Sequence, residues 1–407
     1  MSAVRRVEIA FATGVAIALF GWALIGVPAW RDAIWTSNDF PFIWAGPAAA
    51  LRGIDPYDPA LWPGTPERLG AGGRREAVYD YPPWTTLALL PIGALPLEPA
   101  AAVWAYGGLA LAAAAMLALA RASLQRAPLA ALPIGFMVVA SQPAIVNFYD
   151  GEMSFVLVAG MVAVTLGLAR RWQLTAAIGL LALALKPTPF AIAFPAILRA
   201  GVARAQPRFL VAVVGAGIAS LVASFVAFPG WLGPYLATIQ QARLANPKTT
   251  VLPFALRELF GDTGLVLGVI AVLALVALAL RFDPRSESYV PAWLAVAPLV
   301  TPYLHSYDQL VILVPLTIAI GTLGARSRRA AYGLAAFAFV DLVIVAAFLI
   351  SDAGIALGRE TLNAFAIAPL AMLALAALWP DRAARPASPL ALPAAAGGPS
   401  AEVPTRR

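Results

Sequence analysis

Residues 9–30 read IAFATGVAIALFGWALIGVPAW, with no charged side chain among them. A hydrocarbon core about 30 Å thick needs about 20 mainly apolar helical residues, and this run supplies them. Arg5 and Arg6 stand just before it. The run is too long for a secretory-signal core and no small-residue cleavage site closes it. It therefore reads as an uncleaved signal anchor with its N-terminus in the cytoplasm.

The rest of the chain repeats that grammar. Of its 407 residues, 61% are hydrophobic and 12% charged, and the mean hydropathy is +0.81. A soluble domain carries about a quarter charged residues, so composition alone points to a membrane protein. Long Leu/Ala/Val runs without two-residue alternation select helices over a barrel. After residues 9–30, spans are expected near 100–120, 129–146, 153–169, 174–185, 189–198, 209–228, 264–280, 290–304, 310–323, 330–350 and 362–378. Residues 84–97 are apolar but short, and are read as non-crossing.

With about 12 spans, Arg5/Arg6, Arg121/Arg126, Arg170/Arg171, Arg199/Arg204/Arg208, Arg281/Arg285 and Arg326/Arg328/Arg329 all fall on one side, as the positive-inside rule requires. The expectation is an all-α, polytopic bundle over residues 1–379 in the inner membrane, with both termini cytoplasmic. Residues 31–83 form a long external first loop containing short helices, and 229–263 a second external loop. The Ala-, Pro- and Arg-rich residues 380–407 read as a disordered tail. The net charge of +7 fits arginine-rich cytoplasmic loops and gives no case for nucleic acid. With no cysteine and one histidine, disulfides, thiol chemistry and clustered Cys or His ligands are excluded.

The same topology puts several polar groups on the external side. Residues 35–58, WTSNDFPFIWAGPAAALRGIDPYD, hold Asp39, Asp55 and Asp58 beside a membrane exit. Asp39 heads a short helix, where a carboxylate can accept from backbone N–H groups. A kink or restart is expected at Gly46-Pro47, with Gly53 ending the segment. Asp55 and Asp58, each before a proline or in its company, suit turns. NFYDGEMS at 147–154 places Asp150 and Glu152 at a membrane edge. Lys186 interrupts an apolar hairpin whose prolines, 187 and 189, stop a helix passing through; it either snorkels to the interface or faces an anion. His305 follows a span with Tyr303, Tyr307 and Asp308 nearby. Asp341 lies within an apolar run, where it is either functional or an interhelical hydrogen-bonding group.

No dinucleotide-binding GxGxxG and no P-loop is present, so a sugar donor, if used, comes from the membrane. In order along the chain, N-D-F followed by G-x-D-P-Y-D, then YDYPPWTTLALLPIGALP, YDGEMSFVL, LALALKPTPF and TPYLHSYDQ resemble the motif series of the GT-C membrane glycosyltransferases. More narrowly, they resemble the polyprenol-phosphate-mannose-dependent α-1,2-mannosyltransferases of glycosyltransferase family 87. Glu152 and Ser154 stand where the family shows Gln and Asn, and His305 is alone where relatives often carry a His pair.

The resemblance implies transfer of mannose or a related hexose from a polyprenyl phosphate to an extracytoplasmic lipid or glycan acceptor, with Asp39 as the essential acid. Chemically, Asp39 suits a general base, and Lys186 and His305 a leaving phosphate. Tyr81, Asp58, Asp150, Glu152, Tyr303 and Asp308 are candidates for holding acceptor or sugar. No cofactor is required, although Asp150 and Glu152 leave room for a divalent cation. The rival reading is a transporter or flippase for a lipid-linked sugar. No convincing inverted repeat supports it, and the long aromatic, acidic first loop is hard to place in a carrier.

Overall fold

A computed structural model describes residues 1–25, 39–72, 78–245, 251–301, 304–349 and 360–379. Tyr303 and the expected disordered tail lie outside them. Every regular element among the described residues is helical. Helix α1 is Ala3–Leu24, capped by the Ser2 side chain on the Arg5 N–H at 3.2 Å. The first loop carries α2 (Phe40–Ala50), α3 (Thr65–Arg68), α4 (Pro83–Ala88) and α5 (Leu90–Gly93), and α6 runs Leu97–Ser123. Then come α7 (Ala131–Ala140), α8 (Gln142–Asp150), α9 (Ser154–Ala169), α10 (Gln173–Ala184), α11 (Ala193–Ala203) and α12 (Pro207–Ala227). The remainder is α13 (Leu232–Ala245), α14 (Leu252–Ala279), α15 (Tyr289–Val300), α16 (Leu313–Arg326), α17 (Arg328–Phe348) and α18 (Ala364–Leu378).

Among the described residues, each of the twelve expected apolar segments contains a helix. Seven are long and apolar enough to cross a membrane, and five apolar helices are shorter, at 10–17 residues. The short ones end where the sequence turns polar or meets proline, as at Lys186-Pro187. The stretch 84–97 forms no spanning helix, only the short α4 and α5.

The burial gradient locates the core. The span Ser306–Arg326 is 89% buried over its apolar window, whereas α12 is 11% buried. The first is therefore the axis of the bundle, and the second forms its rim. Between apolar helices lipid provides no hydrophobic contrast, so close packing has to hold them together. Helices α1 and α7 show how close: a Cβ on Gly14 would lie 2.0 Å from the Leu132 carbonyl oxygen, and one on Gly135 2.3 Å from that of Phe11.

Three local expectations are corrected. Helix α2 runs unbroken through Pro47. Proline leaves the Ile43 carbonyl without its helical donor, and the Tyr79 hydroxyl donates to that carbonyl instead, at 2.9 Å. Gly46 makes room for the ring, since a Cβ there would sit 2.6 Å from it. Asp39 occupies the N-cap position of α2, yet its side chain makes no capping hydrogen bond. Of residues 229–263, expected as loop, most of those described are helical: α13 and the start of α14, with a break at Gly261 (φ 63°, ψ −149°). Only glycine adopts that conformation readily, so the turn needed no proline or polar run to signal it.

Candidate functional site

Four connections between helices converge at one end of the bundle. The first is the turn from α8 to α9. Gly151 ends α8 in the left-handed region (φ 69°), with its N–H on the Asn147 carbonyl at 3.0 Å. The Asn147 side chain also accepts from the Ser154 N–H at 2.9 Å, so both ends of the tight turn are pinned and Glu152 projects from it. A Cβ on Gly151 would fall 2.4 Å from the Phe40 Cβ, which lets α2 lie directly against the turn. The Asp39 N–H donates to the Asp150 carbonyl across that contact, at 3.1 Å.

The second is the connection carrying Lys186. The last carbonyls of α10 lack helical partners. Trp84 Nε1 donates to the Ala184 carbonyl at 2.8 Å and Thr85 Oγ1 to that of Leu185 at 2.7 Å, so α4 caps α10. The third is the 3₁₀ turn Ser306–Ile312, entered by His305, where the His305 N–H donates to Asp308 Oδ2 at 3.3 Å. The fourth is the bend leading into α4, which carries Tyr81. Tyr57 donates its hydroxyl to the Tyr81 carbonyl at 2.7 Å and shares a 2.7 Å hydrogen bond with Thr86 Oγ1.

At the meeting point Lys186 bridges two carboxylates. Its Nζ lies 2.9 and 3.2 Å from the Asp308 oxygens and 3.2 Å from Glu152 Oε2. All three side chains are buried. The Tyr81 hydroxyl donates towards both Glu152 oxygens at 3.3 Å, and Ser154 Oγ donates to Asp308 Oδ1 at 3.2 Å. Lys186 Nζ also stands 4.6 Å from the centre of the Tyr307 ring, which stacks on the His305 ring at 5.1 Å.

One cation between two buried anions determines the charge states. Burial pushes the Glu152 carboxyl up, but the Lys186 ammonium, the His305 charge and hydrogen bonds from Lys186 and Tyr307 outweigh it, and the group is held below its ordinary value. Burial alone would lower Lys186; Asp308 and Glu152 together raise it, so it stays protonated. The trio carries a formal charge of −1, with Tyr307, Tyr81 and Ser154 adding polar contacts around it.

The structure therefore brings together Tyr81, Glu152, Lys186, His305 and Asp308, and sets Asp39 and Asp150 beside them through the backbone. Asp58 is engaged elsewhere: its Oδ1 accepts from the Ala60 N–H at 2.8 Å, as Asp55 Oδ1 does from the Tyr57 N–H at 2.8 Å. Both are side-chain turns of the kind their sequence suggests. Asp341 lies in a π-helical stretch of α17, Val340–Val345, with its Oδ2 buried and without a hydrogen-bond partner among the described residues. Sequence reasoning missed the roles of Tyr57, Trp84 and Thr85, because no motif announces a side chain that caps a helix a hundred residues away. Among the described residues no three His, Cys, Asp or Glu side chains are grouped to hold a metal ion. Between Glu152 and Asp308 the ammonium itself fills the position a shared cation would take.

The model of glycosyltransferase family 87 matches residues 79–302, more than half of the chain. That stretch includes Tyr81, Asp150, Glu152 and Lys186 and stops just short of His305. No curated protein and no solved structure matches the chain.

Proposed function

The chain belongs to glycosyltransferase family 87, and from that membership we propose that it transfers mannose or a related hexose from a polyprenyl phosphate to an extracytoplasmic lipid or glycan acceptor. Membership makes it a glycosyltransferase with sugar donor and acceptor substrates and sets aside the carrier reading. The observation that carries the finer proposal is the buried Glu152–Lys186–Asp308 bridge beside His305, with Asp39 joined to the same turn.

The reaction needs few parts. An acceptor oxygen attacks the anomeric carbon, the bond from that carbon to the phosphate oxygen breaks, and the transition state has oxocarbenium character. Asp39 takes the hydroxyl proton, a contribution of about 10²–10⁴-fold. The polyprenyl phosphate leaves with the bonding pair, and in this reading Lys186 and His305 border its phosphate as hydrogen-bond donors. Glu152 and Asp308 hold the lysine in place, and Tyr81 and Asp150 border the space for sugar and acceptor. The chemistry is written on side chains alone, with no cofactor. In this reading the site faces the external side, and both termini face the cytoplasm.

The test is transfer from radiolabelled polyprenyl-phosphate mannose by the purified, full-length protein, alongside polyprenyl-phosphate glucose and a nucleotide-diphosphate mannose. Label from a polyprenyl-phosphate hexose should reach lipid or glycan. Transfer from the nucleotide sugar alone would sink the donor assignment.

A further inference from the structure

At the opposite, arginine-rich pole of the bundle, the ends of several candidate spans enclose a cleft of about 210 Å³ lined by Arg6, Gln125, Pro128, Leu129, Arg328 and Tyr332. Arg6 comes from the first turns of α1, Gln125 to Leu129 from the link between α6 and α7, and Arg328 and Tyr332 from the start of α17. All of them stand within about a turn of a span end, which is the depth of lipid headgroups.

The lining has one sign of charge. No acidic side chain contributes to it, and among the described residues neither Arg6 nor Arg328 meets a carboxylate at ion-pair distance. The acid nearest in sequence on α1, Glu8, is held by Arg121 at 2.9 Å. The Gln125 amide nitrogen donates to the Arg121 carbonyl at 3.0 Å, which fixes that side chain at the cleft. Guanidinium groups match phosphate oxygens with paired N–H donors, and a tyrosine hydroxyl belongs at headgroup level. Leu129, 65% exposed at the rim, offers apolar surface where an acyl chain would descend.

We propose that this cleft binds the phosphodiester headgroup of an anionic glycerophospholipid, with Arg6 and Arg328 on the phosphate and the acyl chains passing over Leu129. Basic pockets between membrane helices recognise such headgroups by this chemistry. The site is separate from the proposed transfer chemistry and does not depend on it.

The full-length protein in neutral detergent can be titrated with phosphatidylglycerol, phosphatidylcholine and inorganic phosphate, with bound lipid counted by native mass spectrometry. Phosphatidylglycerol should bind and phosphatidylcholine should not. Arg6→Gln and Arg328→Gln should each weaken binding about fivefold, and the pair about thirtyfold. Arg281→Gln, an exposed arginine outside the cleft, should leave it unchanged. Equal binding by the paired variant, or equal uptake of phosphatidylcholine, would overturn the site. Competition by inorganic phosphate as effective as the lipid itself would make it a soluble-anion site and overturn the lipid assignment.

Discussion

The backbone N–H of Asp39 is bonded to the carbonyl of Asp150 at 3.1 Å, so the residue at the head of α2 is tied to the turn that presents Glu152. The bond uses main chain only. Substituting the Asp39 side chain therefore leaves that main-chain bond in place.

That separation makes Asp39→Asn a clean test. Asn keeps the size of the Asp39 side chain and its ability to accept hydrogen bonds, so the protein should still fold and bind donor. Turnover should fall by about two to four orders of magnitude if the carboxylate is the base. Asp58→Asn, whose turn to Ala60 an amide can also make, should cost little. An active Asp39→Asn enzyme would move the base elsewhere.

Removing the cation is expected to damage the fold as well as the reaction. Lys186→Met leaves Glu152 and Asp308 buried with no counter-charge, and breaking such a pair costs about 3–5 kcal/mol. Lys186→Met combined with Glu152→Gln should recover part of that loss, because one stranded anion is gone. Detergent unfolding midpoints for the two variants and the parent decide it; strictly additive losses would mean the groups do not interact.

The turn at Gly151 should tolerate no side chain. Gly151→Ala places a Cβ in the left-handed region and 2.4 Å from the Phe40 Cβ. The backbone conformation alone costs about 1–3 kcal/mol, and the clash pushes α2 and Asp39 away from Asp150. Both stability and turnover should drop. Gly107→Ala on α6, where a Cβ meets open space, is the control and should be neutral or stabilising. Parent-like turnover in Gly151→Ala would show that the α2 contact does not position the site.

Stability should depend on pH through the bridge. The Glu152 value is depressed on folding, so its contribution is present above the unfolded value of 4.5 and is lost as pH falls through the lower folded value. Lys186 is raised on folding, so its share is complete below 10.5 and lost as pH climbs through the folded value. The difference in unfolding midpoint between the parent and Glu152→Gln should be flat from pH 6 to 8 and should shrink below about pH 4.5. A gap that stays constant down to pH 3 would remove Glu152 from the linkage.

The orientation is open to direct chemistry because the chain contains no cysteine. Glu67→Cys, exposed in the first loop, should react with an impermeant maleimide on intact cells, and Arg285→Cys should react only after lysis. The reverse pattern would invert the bundle and put Asp39 on the cytoplasmic face.

Much of this was legible in the residues. Apolar length and composition located the helices, and the arginine-based topology put Glu152, Lys186 and His305 on one side. What was hidden depends on partners far apart in sequence. Pro47 signals a break, and only the Tyr79 hydroxyl on Ile43 explains why none occurs. Asp39 has the position of a cap without the bond, because side-chain rotamer and neighbours decide that contact. Residues 229–263 read as loop, yet α13 and the start of α14 lie within them. Lys186 read as either snorkelling or facing an anion, and the structure shows it held between two carboxylates.

The bridge also orders events while the chain is being made. Lys186 follows Glu152 by 34 residues and precedes Asp308 by 122. At about 5–20 residues per second, Asp308 is synthesised roughly 6–24 s after Lys186. In that interval the nascent lysine has one of its two native partners already made, since Glu152 lies upstream. The chain can thus hand the lysine to the bilayer as part of a paired hairpin, and the second carboxylate arrives later to complete the site.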